Sequence, residues 1–156
     1  NSDPMAIADS YSVHAGDVLT IPAGTGLLSN DTDADGDSLS VVSFEPSANG
    51  IVNMSADGSF TFTPDAGYTG TETLTYTITD GVTTVSGTYT LAVTNTDPVA
   101  NDDTYSATAG EVLTVDAATG LLSNDTDADG DPLSVFSVVP PSNGVLNASA
   151  DLSKAL

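Results

Sequence analysis

Aspartates occupy alternate positions of the stretch LLSNDTDADGD, at Asp31, Asp33, Asp35 and Asp37, and the same letters return with Asp125, Asp127, Asp129 and Asp131. Unit charges roughly 6 Å apart repel by about 0.7 kcal/mol in water, and by about 3 kcal/mol at an effective dielectric near 20. A run like this needs a compensating positive charge, and a hard divalent cation suits it. Calcium takes about six to eight oxygens at roughly 2.3–2.6 Å, several of them carboxylate. Asp at the first, third and fifth positions of a tight loop aims three side chains at one centre. Gly36 and Gly130, at the sixth position, permit the sharp return of the chain. Asp37 and Asp131 follow, able to ligate through side chain or carbonyl. The loop has no Cys or His for a softer metal, and magnesium tolerates irregular all-protein cages poorly.

The pattern departs from an EF-hand. Its twelfth position, where a bidentate Glu belongs, holds Val42 in one copy and Phe136 in the other, and the loop runs on into the strand-like SLSVVSF. The remaining oxygens would come from Asn30, a backbone carbonyl, water, or the carboxylates Asp9, Asp102 and Asp103. A solvated acidic turn is the plain alternative. The charge balance argues against it, because Lys154 is the one Lys or Arg in the chain.

The elements that must position these loops are legible as a repeat. NSDPMAIADSYSVHAGDVLT at Asn1 aligns with NTDPVANDDTYSATAGEVLT at Asn95, an offset of 94 residues that holds without insertion through Asp57 and Asp151. Beyond that point copy one continues GSFTFTP and copy two reads LSKAL. The expected domains are a complete repeat at 1–94 and a truncated one at 95–156. Within copy one the hydrophobic period is two: Leu74, Tyr76 and Ile78 alternate with threonines, as do Val85, Tyr89, Leu91 and Val93. Strands are expected around 10–14, 17–21, 38–44, 51–55, 59–63, 72–79 and 82–93, with tight turns at Asn49-Gly50, Asp57-Gly58 and Asp80-Gly81. About seven short strands in such a span describe an all-β fold, an antiparallel immunoglobulin/cadherin-like β-sandwich, repeated in tandem with the second copy incomplete. A helical turn is expected at Gly26–Ser29. Tyr68 is expected either to tie a corner through its hydroxyl or to pack in the core.

Charge and composition narrow the function. The 156 residues carry a formal charge of −21, so no cationic patch exists to neutralise phosphates, and nucleic acid and anionic membrane surfaces are excluded as partners. The carboxylates are spread between apolar alternations and do not form a disordered tail. With no cysteines, neither disulfides nor thiolate metal sites contribute, and bound metal becomes an alternative clamp for a small extracellular domain. No stretch approaches a membrane span, so membrane insertion is not expected. The chain starts inside its own repeat pattern, as a piece of something longer would.

Together, NTDPVANDDTYS, GLLSNDTDADGDPLSV, ADGSFTFTPDAGYTGTETLTYTITDG and the long last strand resemble the bacterial cadherin-like, tandem-95 type repeat of large RTX-type adhesins and secreted surface proteins. The resemblance implies an extracellular or cell-surface, calcium-binding module, strung in tandem as an extender or adhesive element of biofilm-related proteins. It implies metal ligation by Asp31, Asp33, Asp35 and Asp37 and by Asp125, Asp127, Asp129 and Asp131, with neighbouring repeats as partners. Interdomain calcium, as in cadherins, would use Asp97, Asp102 and Asp103. The glycine-rich nonapeptide of RTX β-rolls is not present.

Without counterparts of Phe60, Phe62, Leu74 and Tyr89, copy two is expected to leave sheet edges open and not to close a sandwich alone; the alternatives are that residues 95–156 are mobile, lean on copy one, or borrow strands from another chain as a strand-borrowing dimer. An enzyme is not expected: His14, the one histidine, is replaced by Thr108 in copy two, and no nucleophile elbow or phosphate loop is present. A module binding cell-surface or matrix polysaccharide is the rival reading, weakened by the lack of Trp and by tyrosines (Tyr11, Tyr68, Tyr76, Tyr89) placed where strand packing claims them.

Overall fold

The computed structural model describes residues 1–148 and divides into two compact units, Asn1–Asn95 and a second beginning at Thr96. In unit 1 the alternating segments form seven strands: β1 Asp9–His14, β2 Leu19–Ile21, β3 Ser40–Phe44, β4 Gly50–Met54, β5 Phe60–Pro64, β6 Gly70–Thr79 and β7 Thr84–Thr94. They make two sheets, one in the order β1-β7-β6-β3 and one in the order β2-β5-β4. All pairings are antiparallel except that of β1 with β7. Each expected strand is present, displaced by at most a few residues. The unit is an all-β sandwich of the expected kind.

Period two accounts for the interior. Leu74, Tyr76 and Ile78 of β6 and Tyr89, Leu91 and Val93 of β7 are buried, while the threonines between them are half-buried or exposed. On the outer face Thr73 meets Thr90 and Thr77 meets Ser86, each pair 3.3 Å apart across the ladder. The opposite sheet contributes Phe60 and Phe62, and the rings of Tyr11, Phe60, Tyr89 and Tyr76 follow one another edge to tilted face at 5.0, 5.9 and 6.2 Å. Each fully buried ring contributes about 1.5–3 kcal/mol through area removed from water, so this chain of aromatics dominates the core.

One expectation is corrected and one is extended. Asn49-Gly50 is not a hairpin turn: Gly50 opens β4, and the segment carries the chain from β3 in one sheet to β4 in the other. The turn expected at Gly26–Ser29 is present, with the Ser29 amide on the Gly26 carbonyl at 3.0 Å, and a 3₁₀ turn at Ala23–Thr25 precedes it, the amides of Thr25 and Gly26 bonding back to Pro22 and Ala23. Tyr68 packs half-buried against the core. The corner tie belongs instead to Tyr11, whose hydroxyl donates to the Thr25 carbonyl at 3.1 Å.

Unit 2 keeps the local structure of the first repeat without its sheets. Among its described residues no strand forms. A 3₁₀ turn at Ala117–Thr119, an isolated bridge between Val99 and Thr126, and the Tyr105 hydroxyl on the Thr119 carbonyl at 2.9 Å reproduce their counterparts in unit 1.

Candidate metal centre

The first acidic loop connects the 3₁₀ turn to β3 and is pinned at three places. Met5 and Thr32 exchange amide–carbonyl bonds of 2.7 and 3.1 Å. The Ile7 amide donates to Asp31 Oδ1 at 2.7 Å, and the Ser2 amide donates to Asp35 Oδ2. Inside the loop Asp33 Oδ1 accepts from the amides of Asp35 at 2.8 Å and Asp37 at 3.2 Å. Gly36, with φ of 81°, makes the return that aims this side chain and its neighbours inward.

The consequence is convergence. Asp33, Asp35 and Asp37 each offer a carboxylate oxygen, and these oxygens lie within 4.8 Å of one another; among the described residues no other acidic or metal-ligating trio does so. Oxygens on one calcium ion are separated by at most about 5 Å, twice the metal–oxygen distance. Asp33 Oδ2 is buried and has no donor from the protein. An acceptor-only atom in that position costs stability unless a cation or water meets it.

Asp31 stands apart from this trio. Its oxygens take the Tyr76 hydroxyl at 3.2 and 3.0 Å in addition to the Ile7 amide, and burial pushes its carboxyl upward against those hydrogen bonds. Beside it, Asp9 of β1 is pushed up to about 6, first by burial and then by the charge of Asp31, with Asn30 and Tyr76 pulling the other way. Burial and the two carboxylates raise the Tyr76 phenol far above its ordinary range, so it serves only as a donor here. Asp9 Oδ2 and Asn30 Oδ1 are further buried acceptors with no protein donor. Tyr76 reaches this pocket because its ring lies across Gly87 on the paired strand; a Cβ there would sit 2.6 Å from the ring. Sequence reading assigned Tyr76 to the core alone. Its signal was the hydroxyl, since a buried tyrosine normally finds a partner for it.

The second loop repeats the backbone scheme. The Asn101 amide donates to Asp125 Oδ1 at 2.7 Å, and Asp127 Oδ1 accepts from Asp129 at 2.9 Å and Asp131 at 3.1 Å. Asp129 also receives the Thr96 amide and hydroxyl, and Gly130 turns with φ of 80°. Of the other carboxylates considered as oxygen donors, Asp102 is exposed and Asp103 half-buried.

His14 ends β1 on an exposed face, its ring nitrogen 3.3 Å from the Thr94 hydroxyl. No helix among the described residues is long and apolar enough to cross a membrane.

Comparison with known proteins agrees with this architecture. The family model described as bacterial cadherin-like domain matches residues 1–96, and the one described as bacterial Ig domain matches residues 95–154. No curated protein matches. Among solved structures, an endo-fucoidan hydrolase from glycoside hydrolase family 107 is similar at 17% identity and a TM-score of 0.42, over 62% of this chain and 14% of that one. The extracellular cadherin domains of protocadherin gamma B2 are similar at 13% identity and a TM-score of 0.36, over 65% of this chain and 22% of that one. The chain thus spans a small fraction of either protein, and at those scores neither likeness bears on activity. With its first 96 residues matched and the sandwich, the strand order and the acidic loop in place, the chain belongs to the bacterial cadherin-like domain family.

Proposed function

We propose that the chain is a calcium-binding, extracellular structural module, an extender or adhesion element of a larger bacterial surface or secreted protein, with no catalytic role. The observation that carries this reading is the buried, donorless Asp33 Oδ2 inside a trio of converging carboxylates. Asp33, Asp35 and Asp37 would hold the ion, and Asp31 would anchor the loop to the sandwich through Tyr76 and Ile7. Asp127, Asp129 and Asp131, with Asp125 as anchor, do not converge as the first trio does and would have to draw together on an ion to form a second site. Calcium supplies the positive charge that this chain of net charge −21 does not carry in its side chains. Bound, it would fix the loop that leads into β3 and so stiffen a tandem array of neighbouring repeats. A polysaccharide-binding role gains nothing from the tyrosines of unit 1: Tyr76 and Tyr89 are buried, and Tyr11 and Tyr68 pack against the core.

Calcium titration of the full chain by calorimetry tests the proposal. Saturable heat at up to millimolar calcium, losing the first loop's share in the Asp33→Ala/Asp35→Ala chain and lost altogether when Asp127→Ala/Asp129→Ala are added, is the expected result. Heat that is absent, or identical in the substituted chain, would overturn it.

A further inference from the structure

We infer that unit 2 carries an acceptor site for an extended strand bearing two aromatic side chains at alternate positions, the chemistry of Phe60-Thr61-Phe62. Unit 2 contains a cavity of about 250 Å³ lined mainly by apolar side chains, including Tyr105, Leu113, Val115, Leu121, Leu146 and Ala148. By the repeat offset these correspond to Tyr11, Leu19, Ile21, Leu27, Val52 and Met54 of unit 1.

In unit 1 five of those six residues share one neighbour, β5. Tyr11 stacks edge-on against Phe60, Leu19 and Val52 pair with Phe62, and Ile21 and Met54 pair with Phe60. The Leu27 amide donates to the carbonyl of Gly58, which leads into β5. Unit 1 therefore shows what covers this surface. In copy two the positions of Phe60 and Phe62 hold Lys154 and Leu156, so the aromatic pair is not repeated.

The counterparts differ in exposure: Tyr11, Leu19 and Val52 are half-buried, whereas Tyr105, Leu113 and Leu146 are 39%, 47% and 48% exposed, and Leu27 is fully buried where Leu121 is half-buried. A strand seated there would run between Leu113–Val115 and Leu146–Ala148, antiparallel to both as β5 is to β2 and β4. It would place one ring against Tyr105 and the other between Leu113 and Leu146. Backbone pairing would supply affinity, and the alternate aromatic side chains would supply selectivity. The site needs no metal, so it stands or falls apart from the calcium proposal.

The test uses a fluorescein-labelled peptide with the sequence of residues 55–65, SADGSFTFTPD, titrated with the full chain in excess chelator and followed by anisotropy. Saturable one-to-one binding is expected. A peptide carrying Phe60→Ser and Phe62→Ser should bind more than about tenfold more weakly, since each ring forfeits its burial. A Leu146→Asp chain should lose binding, while circular dichroism and the unfolding midpoint of unit 1 remain those of the parent. Equal binding of the two peptides, retention in the Leu146→Asp chain, or no binding up to the solubility limit would each overturn the inference.

Discussion

The two acidic loops make the same bonds in different settings. Asp31 and Asp125 each take an amide from the lead-in segment at 2.7 Å, and Asp33 and Asp127 each receive the amides two and four residues ahead. Met5–Thr32 and Val99–Thr126 form the same bridge. Only the first loop sits at the end of a closed sandwich, where β6 brings the Tyr76 hydroxyl to Asp31 and Leu27 is sealed beneath it. Near-identical loops, one in a sandwich and one in a unit with no strand among its described residues, show that the loop depends on its own residues and on the lead-in segment that pins it. Asx-type bonds from Asp33 and a glycine able to hold positive φ shape its interior. The sandwich adds burial, orphaned acceptors and perturbed carboxyls.

The largest test separates the units through the core. Phe62→Ala should cost unit 1 about 3–5 kcal/mol, because it empties a fully buried site. The Asp125–Asp131 loop should keep its amide exchange rates; acceleration there as well would show that the loops do not fold locally. Next, Tyr76→Phe deletes the hydroxyl that donates to Asp31 and should cost about 1.5–3 kcal/mol by equilibrium denaturation, the range for a hydrogen bond to a charged group. A cost near zero would mean that Asp31 is satisfied without the sandwich.

Calcium comes third. Millimolar calcium at a site with a dissociation constant near 0.1 mM would add about 1.4 kcal/mol, visible as a raised melting midpoint that excess chelator reverses. Asp33→Ala should abolish the shift for unit 1.

The smallest effect is a pH slope in chelator. Asp9 is raised from 3.8 to about 6, so the folded state holds a proton that the unfolded state releases. Its contribution is fully present below 3.8 and is lost as pH rises through about 6. Unit 1 should therefore soften between these values, with Asp31 acting in the same direction. Asp9→Asn should flatten that slope; an unchanged melting profile would indicate that Asp9 titrates normally in the fold.

Much of this molecule is written in short-range pattern. Alternation of Leu74, Tyr76 and Ile78 with threonine names both the strand and its buried face, because successive side chains of a strand point to opposite sides. The Asp-x-Asp-x-Asp-Gly spacing names the loop for the same local reason. Asn49-Gly50 misled because the letters of a hairpin turn do not say whether the next strand returns to the same sheet. The role of Tyr76 was illegible because its partner lies 45 residues away and meets it only after the sheets close.

Sequence by itself determined the strands, the repeat, the acidic loops and the negative charge, since each depends on residues within a few positions or on composition alone. Tertiary structure alone decided which carboxylates converge and which are buried, that Tyr76 anchors Asp31, and that one repeat closes over its aromatic core. Those outcomes depend on long-range strand pairing and on water leaving a shared interior, and no stretch of neighbouring residues encodes either.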